Sequence, residues 1–166
     1  GHSITMILIN TASRIREAIP AAELDAQIDL SIESLQRYFV HPEFEALLET
    51  VGPNGEFIDN TMGRTINPGH CIETAWFLLE EAKYRNWDPK LTKMAVTILE
   101  WSWKWGWDKE YGGIINSRDC RGLPVQDYSQ DMKFWWPQTE AIIATLYAYE
   151  ATKDERFLEM HKQISD

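Results

Sequence analysis

ETAWFLLEEA, residues 73–82, superposes on EAIIATLYAY, residues 140–149, and sets Glu73 opposite Glu140. The same superposition carries Asp88 to within one residue of Asp154. Each stretch has the apolar spacing of a helix, and each is followed by an aspartate that opens another. A unit recurring at roughly 65 residues marks a repeat architecture. Upstream, Ile4 to Ile19 and Glu23 to Val40 form a further helix pair, with Leu24, Ile28, Ile32, Leu35 and Phe39 in helical register and Pro20 between the two. Asn67 to Arg85 is helical, and Asp88-Pro89 starts a helix that runs to about Trp103. The third pair is Asp131 to Thr152 followed by DERFLEMHKQISD. Two glycine-marked hairpins join the pairs, one in ALLETVGPNGEFID around Gly52-Pro53-Asn54-Gly55 and one in WDKEYGGIINSRD.

Three pairs side by side give an inner row of helices starting near Ile4, Asn67 and Asp131, with an outer row behind. A repeat unit cannot bury its apolar face alone, so its neighbours must continue the ring. The third hairpin is missing. The fold class is therefore all-α: an α/α toroid of which about half is present, residues 1–166 forming one partial barrel domain of three helix pairs. A self-contained six-helix bundle is the alternative. Helices cut off from their neighbours would leave apolar patches exposed, and self-association is the expected response.

At 166 residues the chain suits one domain. Its 26 acidic residues outnumber 16 basic ones with no basic stripe, which argues against nucleic acid as a partner. Cys71 and Cys120 are too few for a disulfide scaffold or a thiolate cage, which suggests a reducing, cytoplasmic setting. The N-terminus lacks a basic n-region, and nothing approaches the roughly 20 apolar residues of a membrane span. Gly1-His2-Ser3 reads as a possible expression remnant. Eight tryptophans, at 76, 87, 101, 103, 105, 107, 135 and 136, suit either a helical core or the floor of a sugar site.

In NPGHCIETAW, residues 67–76, Asn67 is a plausible N-cap and Pro68 the first helical residue. His70 then lies in the first turn, where the helix dipole favours neutral imidazole, the form that accepts a proton. Glu73, three residues on, shares its face and can orient the ring or hold a hydroxyl. On its own the pair equally suits a capping box. A second helix start strengthens the case: Trp135 and Trp136 precede Pro137, with Gln138 and Glu140 after it. Convergent polar groups beside aromatic walls are how sugar pockets are built. The four histidines, 2, 41, 70 and 161, do not fall at metal-ligand spacings, and no glycine-rich phosphate loop or nucleophile elbow is present, so neither metal nor cofactor is expected.

GRTINPGHCIETAWFLLEEA, residues 63–82, followed by MKFWWPQTEAIIATL, residues 132–146, resembles the N-acylglucosamine 2-epimerase family, as does WDKEYGGI between them. The resemblance implies an (α/α)6 barrel and reversible epimerisation at C2 of N-acetylglucosamine and N-acetylmannosamine in open-chain form. It implies that His70 is one of two acid/base histidines and Glu73 its partner. Arg64, Asn67, Trp135, Trp136, Gln138 and Glu140 match substrate-contacting positions. Family members are longer, and their N-terminal helices with a site arginine and C-terminal segment with the second histidine have no counterpart here. His161 is a poor substitute. Met6, where cellobiose-type relatives carry histidine, favours the acylglucosamine branch. The chain is thus expected to be an epimerase fragment, inactive alone, acting on a small amino sugar. A carbohydrate-binding or interaction module, or a related sugar isomerase, is the alternative.

Overall fold

Asn67 and Asp88 start the two central helices in the same way. The Asn67 side chain accepts the backbone N–H of His70 at 3.1 Å, and Asp88 accepts that of Leu91 at 2.8 Å. Proline follows each cap, its fixed φ suiting the first turn and its missing N–H costing no helical bond there. In the computed structural model, which describes residues 1–166, these caps open α3 (Pro68–Tyr84) and α4 (Pro89–Gly106). Before them stand α1 (His2–Ala18) and α2 (Ala22–Ser34), the latter continued by a π-helical turn over Leu35–Phe39. After them stand α5 (Trp135–Thr152) and α6 (Glu155–Ser165), with Asp154 capping α6 through the N–H of Arg156. The three expected pairs are all present.

Each pair packs on itself, and α3 also packs against α1 on one side and α5 on the other. This puts α1, α3 and α5 in one row with α2, α4 and α6 behind. The middle position of α3 explains its sequence, because a helix covered on most sides must be apolar around most of its circumference. Cys71, Ile72, Ala75, Leu78, Leu79 and Ala82 are all fully buried. Burial of each leucine or isoleucine contributes about 1.5–3 kcal/mol. Ala141, Ala144 and Ala148 are among the buried residues of α5, and short side chains there let two helices approach closely. The far edges are different: Ile4, Leu8 and Ile15 of α1, and Ile143 and Leu146 of α5, are exposed.

The hairpin expectations need correction. The Gly52–Gly55 turn closes, with Gly52 N–H on the Glu56 carbonyl at 2.9 Å, but no strands flank it. The strands pair elsewhere: β1 (Val40–His41) with β2 (Ala46–Leu47), and β3 (Thr65–Ile66) with β4 (Arg118–Asp119), both antiparallel. The second hairpin forms around Gly112-Gly113 and is pinned by a single bridge between Trp107 and Ile114. The start of α5 also moves, from Asp131 to Trp135. The Asp131 carboxylate accepts Arg118 Nη1 at 2.7 Å and is not a cap, and Phe134 precedes the helix with no side-chain bond. His2 is completely buried, with Nε2 2.8 Å from Thr74 Oγ1. No helix is long and apolar enough to cross a membrane.

Candidate active site

The first turn of α3 places the His70 imidazole at the mouth of the helix row, 29% exposed. Its Nδ1 lies 3.0 Å from Glu49 Oε1. A carboxylate only accepts, so Nδ1 carries the proton and Nε2 is the nitrogen left free. Burial pulls the His70 pKa down, but the hydrogen bond and charge of Glu49, with the charge of Glu73, outweigh it and raise the pKa above the ordinary value. The helix dipole, which favours neutral imidazole, is thus opposed by a carboxylate that reaches His70 from the loop after β2. Glu49 is held far down, to about 2: burial opposes this, but hydrogen bonds and charge from His2 and His70 prevail.

Glu73 makes no hydrogen bond to His70 and acts on it by charge alone. Burial and the neighbouring Glu140 carboxylate push its own pKa up to about 7, against the pull of His70. Glu140 Oε2 accepts Trp76 Nε1 at 2.6 Å, and the indole of Trp76 stacks on Tyr147 with centroids 6.2 Å apart. On α5, one turn before Glu140, Trp136 lies against the His70 ring at 5.3 Å between centroids. His70, Glu73, Trp136 and Glu140 thus share one end of the array.

Other candidate residues are bound up in scaffolding. Arg64 Nε donates to Asp119 at 2.7 Å and Nη1 to Asp59 at 3.0 Å, tying the β3 region to β4. Gln138 accepts Ile114 N–H at 2.7 Å and donates to the Ile114 and Phe134 carbonyls at 2.8 and 2.9 Å, which locks the second hairpin onto α5. Both amide hydrogens of Gln138 are thereby taken, whereas Arg64 keeps Nη2 without a partner. Trp135 is 77% exposed beside the mouth, and Asn67 spends its side-chain oxygen on the cap. Met6 is a core residue, and His161 lies 3.1 Å from Thr145 between α5 and α6. Beside the α3 mouth opens a cleft of about 420 Å³, lined mainly by polar groups that include Glu49, Asn67, Asn116, Ser117 and Asp127. Asp127 is braced by Asn116 and Ser129 and sits below the usual carboxylate range because of the Ser129 hydrogen bonds. Sequence reasoning passed over Glu49, the burial of His2 and this cleft, most of whose lining lies outside the two motifs.

The family model for N-acylglucosamine 2-epimerase (GlcNAc 2-epimerase) matches residues 10–166. The chain belongs to the N-acylglucosamine 2-epimerase family. It is similar to N-acylglucosamine 2-epimerase of Bos taurus, 34% identical across 99% of this chain and 39% of the bovine protein. The Rattus norvegicus enzyme of the same name is 32% identical over the same shares. The fold is that of cellobiose 2-epimerase from Bacillus thermoamylovorans, with a TM-score of 0.81 at 24% identity, covering 98% of this chain and 39% of that one. The chain therefore spans about two fifths of the relatives it matches.

The two stretches that carry the N-acylglucosamine 2-epimerase resemblance are in direct contact. A Cβ on Gly69 would collide with the six-membered ring of the Trp136 indole and come within 3.1 Å of Pro137 Cγ. The glycine before His70 is what lets Trp136 lie flat on the first turn of α3. Gly106, at the end of α4, serves similarly, since a Cβ there would fall 2.5 Å from Pro68 Cβ.

Proposed function

We propose that the mouth of α3 is one acid/base half of a sugar 2-epimerase site, acting at C2 of an open-chain N-acylhexosamine such as N-acetylglucosamine or N-acetylmannosamine. The observation that carries this reading is the arrangement around His70: Nδ1 on Glu49, Nε2 free, Trp136 against the ring and Glu73 close by. His70 Nε2 takes the C2 proton, made acidic by the adjacent C1 carbonyl. Its raised pKa strengthens it as a base. Proton removal builds negative charge on the carbonyl oxygen, which a protonated carboxyl can stabilise by hydrogen bonding. Glu73, with its pKa near 7, is substantially protonated at neutral pH and suits that role. Trp136 supplies an apolar face for the sugar chain, and the hydroxyl-rich remainder extends into the polar cleft beside Asn67 and Asp127.

Inversion at C2 also needs a proton donor on the opposite face, and no second histidine stands across from His70. The complete site therefore needs helices beyond these three pairs, which is in keeping with the chain's span of two fifths of its relatives. Uptake of deuterium at C2 from heavy water, followed by NMR, tests the proposal. The expected result is negligible exchange with the 166-residue chain. Joined to the remaining helices of a family member, the same residues exchange C2, and His70→Ala abolishes it while the fold is kept. A joined protein that binds N-acetylmannosamine and exchanges no C2 proton overturns the reading and leaves a carbohydrate-binding module.

A further inference from the structure

We infer that Glu49 is a positioning residue for His70, selecting its Nδ1–H tautomer, and that His2 and Thr74 hold Glu49 in place from α1 and α3. This rests on the reading of His70 as the acid/base group. The geometry is a chain of contacts spanning three elements. Glu49 Oε1 lies 3.0 Å from His70 Nδ1 and 3.3 Å from His2 Nδ1. The Glu49 backbone is fixed at both ends, its N–H on the Thr65 carbonyl at 3.2 Å and its carbonyl on His2 N–H at 3.1 Å. His2 Nε2 reaches Thr74 Oγ1 at 2.8 Å, and Thr74 donates its own proton to the His70 carbonyl at 2.8 Å. The contacts thus return to the residue at which they began.

Function gives this arrangement a purpose that packing alone does not. A carboxylate against Nδ1 fixes which nitrogen faces the substrate, prevents ring flips, and stabilises the imidazolium formed when Nε2 takes a proton. The titratable groups acting on His70 are Glu49 from the loop after β2 and Glu73 from α3; His2 of α1 faces it edge-on at 6.5 Å, and Trp136 covers it from α5. Without Glu49, His70 keeps only the more distant charge of Glu73.

Long-range ¹H–¹⁵N NMR of the histidines in the 166-residue chain tests this without any turnover. The His70 ring is expected to carry its proton on Nδ1 above its titration midpoint. E49Q keeps an oxygen acceptor and removes the charge, so the midpoint falls and the tautomer persists. E49A removes both, so the midpoint falls and the proton shifts to Nε2. H2A loosens the brace and gives a mixture of tautomers with Glu49 intact. A wild-type ring protonated on Nε2, or an E49Q midpoint equal to wild type in a chain folded by circular dichroism, overturns the proposal. Because E49Q is nearly isosteric, it decides the matter even where E49A fails to fold. A joined protein that shows these NMR signatures but exchanges no C2 proton refutes the epimerase reading and leaves this one standing.

Discussion

Glu81 is the most deeply buried charge in the chain, and removing it should be costly. Its side chain is 0% exposed; Oε2 accepts Arg16 Nη2 at 2.6 Å and Ser13 Oγ at 3.0 Å, and Oε1 accepts Arg16 Nη1 at 3.1 Å and Arg85 Nε at 2.7 Å. Arg16 is 5% exposed, and its other acidic partner, Asp25, is 52% exposed. Glu81→Ala strands the Arg16 guanidinium in the interior with only a solvent-screened counter-charge. Breaking a buried pair in this way costs about 3–5 kcal/mol. With a urea m-value of about 2 kcal/mol per molar, the midpoint should fall by roughly 2 M. Asp25→Asn is the control, expected to cost about 1 kcal/mol or less because an exposed pair contributes little. The double variant Arg16→Met, Glu81→Leu should regain most of the loss, since apolar groups of similar volume need no partner. Equilibrium urea unfolding followed by circular dichroism measures all three. A Glu81→Ala penalty no larger than that of Asp25→Asn would refute the assignment of Glu81 as the counter-charge that makes Arg16 tolerable.

Three further outcomes are expected. Gly69→Ala forces a methyl into the Trp136 indole and should destabilise by about 1–3 kcal/mol from overpacking, offset by up to about 1 kcal/mol of helix propensity; adding Trp136→Leu should remove most of the penalty, and strictly additive effects would contradict the contact. Glu49 titrates near 2 in the folded chain and near 4.3 unfolded, so its contribution is complete above the unfolded value and lost as pH falls from there towards 2, on the order of 3 kcal/mol in all; the urea-midpoint gap between wild type and E49Q should therefore close over that window, and a constant gap would count against it. The exposed apolar edge of α1 should drive concentration-dependent association in sedimentation, weakened by Ile4→Glu with Leu8→Glu; a monomer at every concentration would show that the edge is tolerated.

The helix plan was legible wherever capping chemistry was local. Asn67-Pro68 and Asp88-Pro89 marked α3 and α4 because the residues that stop backbone amides from going unpaired lie next to those amides in sequence. Asp131 misled because its carboxylate had a distant claimant, Arg118, invisible in a linear reading. The same reason moved the strands: β3 and β4 pair across more than fifty residues, while the local turn at Gly52–Gly55 closes without flanking strands. His70, Glu73, Trp136 and Glu140 were legible because they sit on the first two turns of repeat-related helices. Arg64 and Gln138 have suitable chemistry for a sugar, but bonds to Asp119 and Asp59 and to the Ile114 backbone commit much of it to the scaffold. Glu49 lay hidden in a stretch whose visible signal was turn formation.

The middle position of α3 also bears on motion. In a stacked array the terminal units have the fewest neighbours and open first, and α1 and α5 carry those ends here. A transient opening of α1 would take His2 with it and unlatch Glu49 from one side, while the Thr65 carbonyl kept its hold on the Glu49 amide. Amide exchange should therefore be slowest along α3, and the proton-carrying ring would stay seated while its supports at the edges come and go.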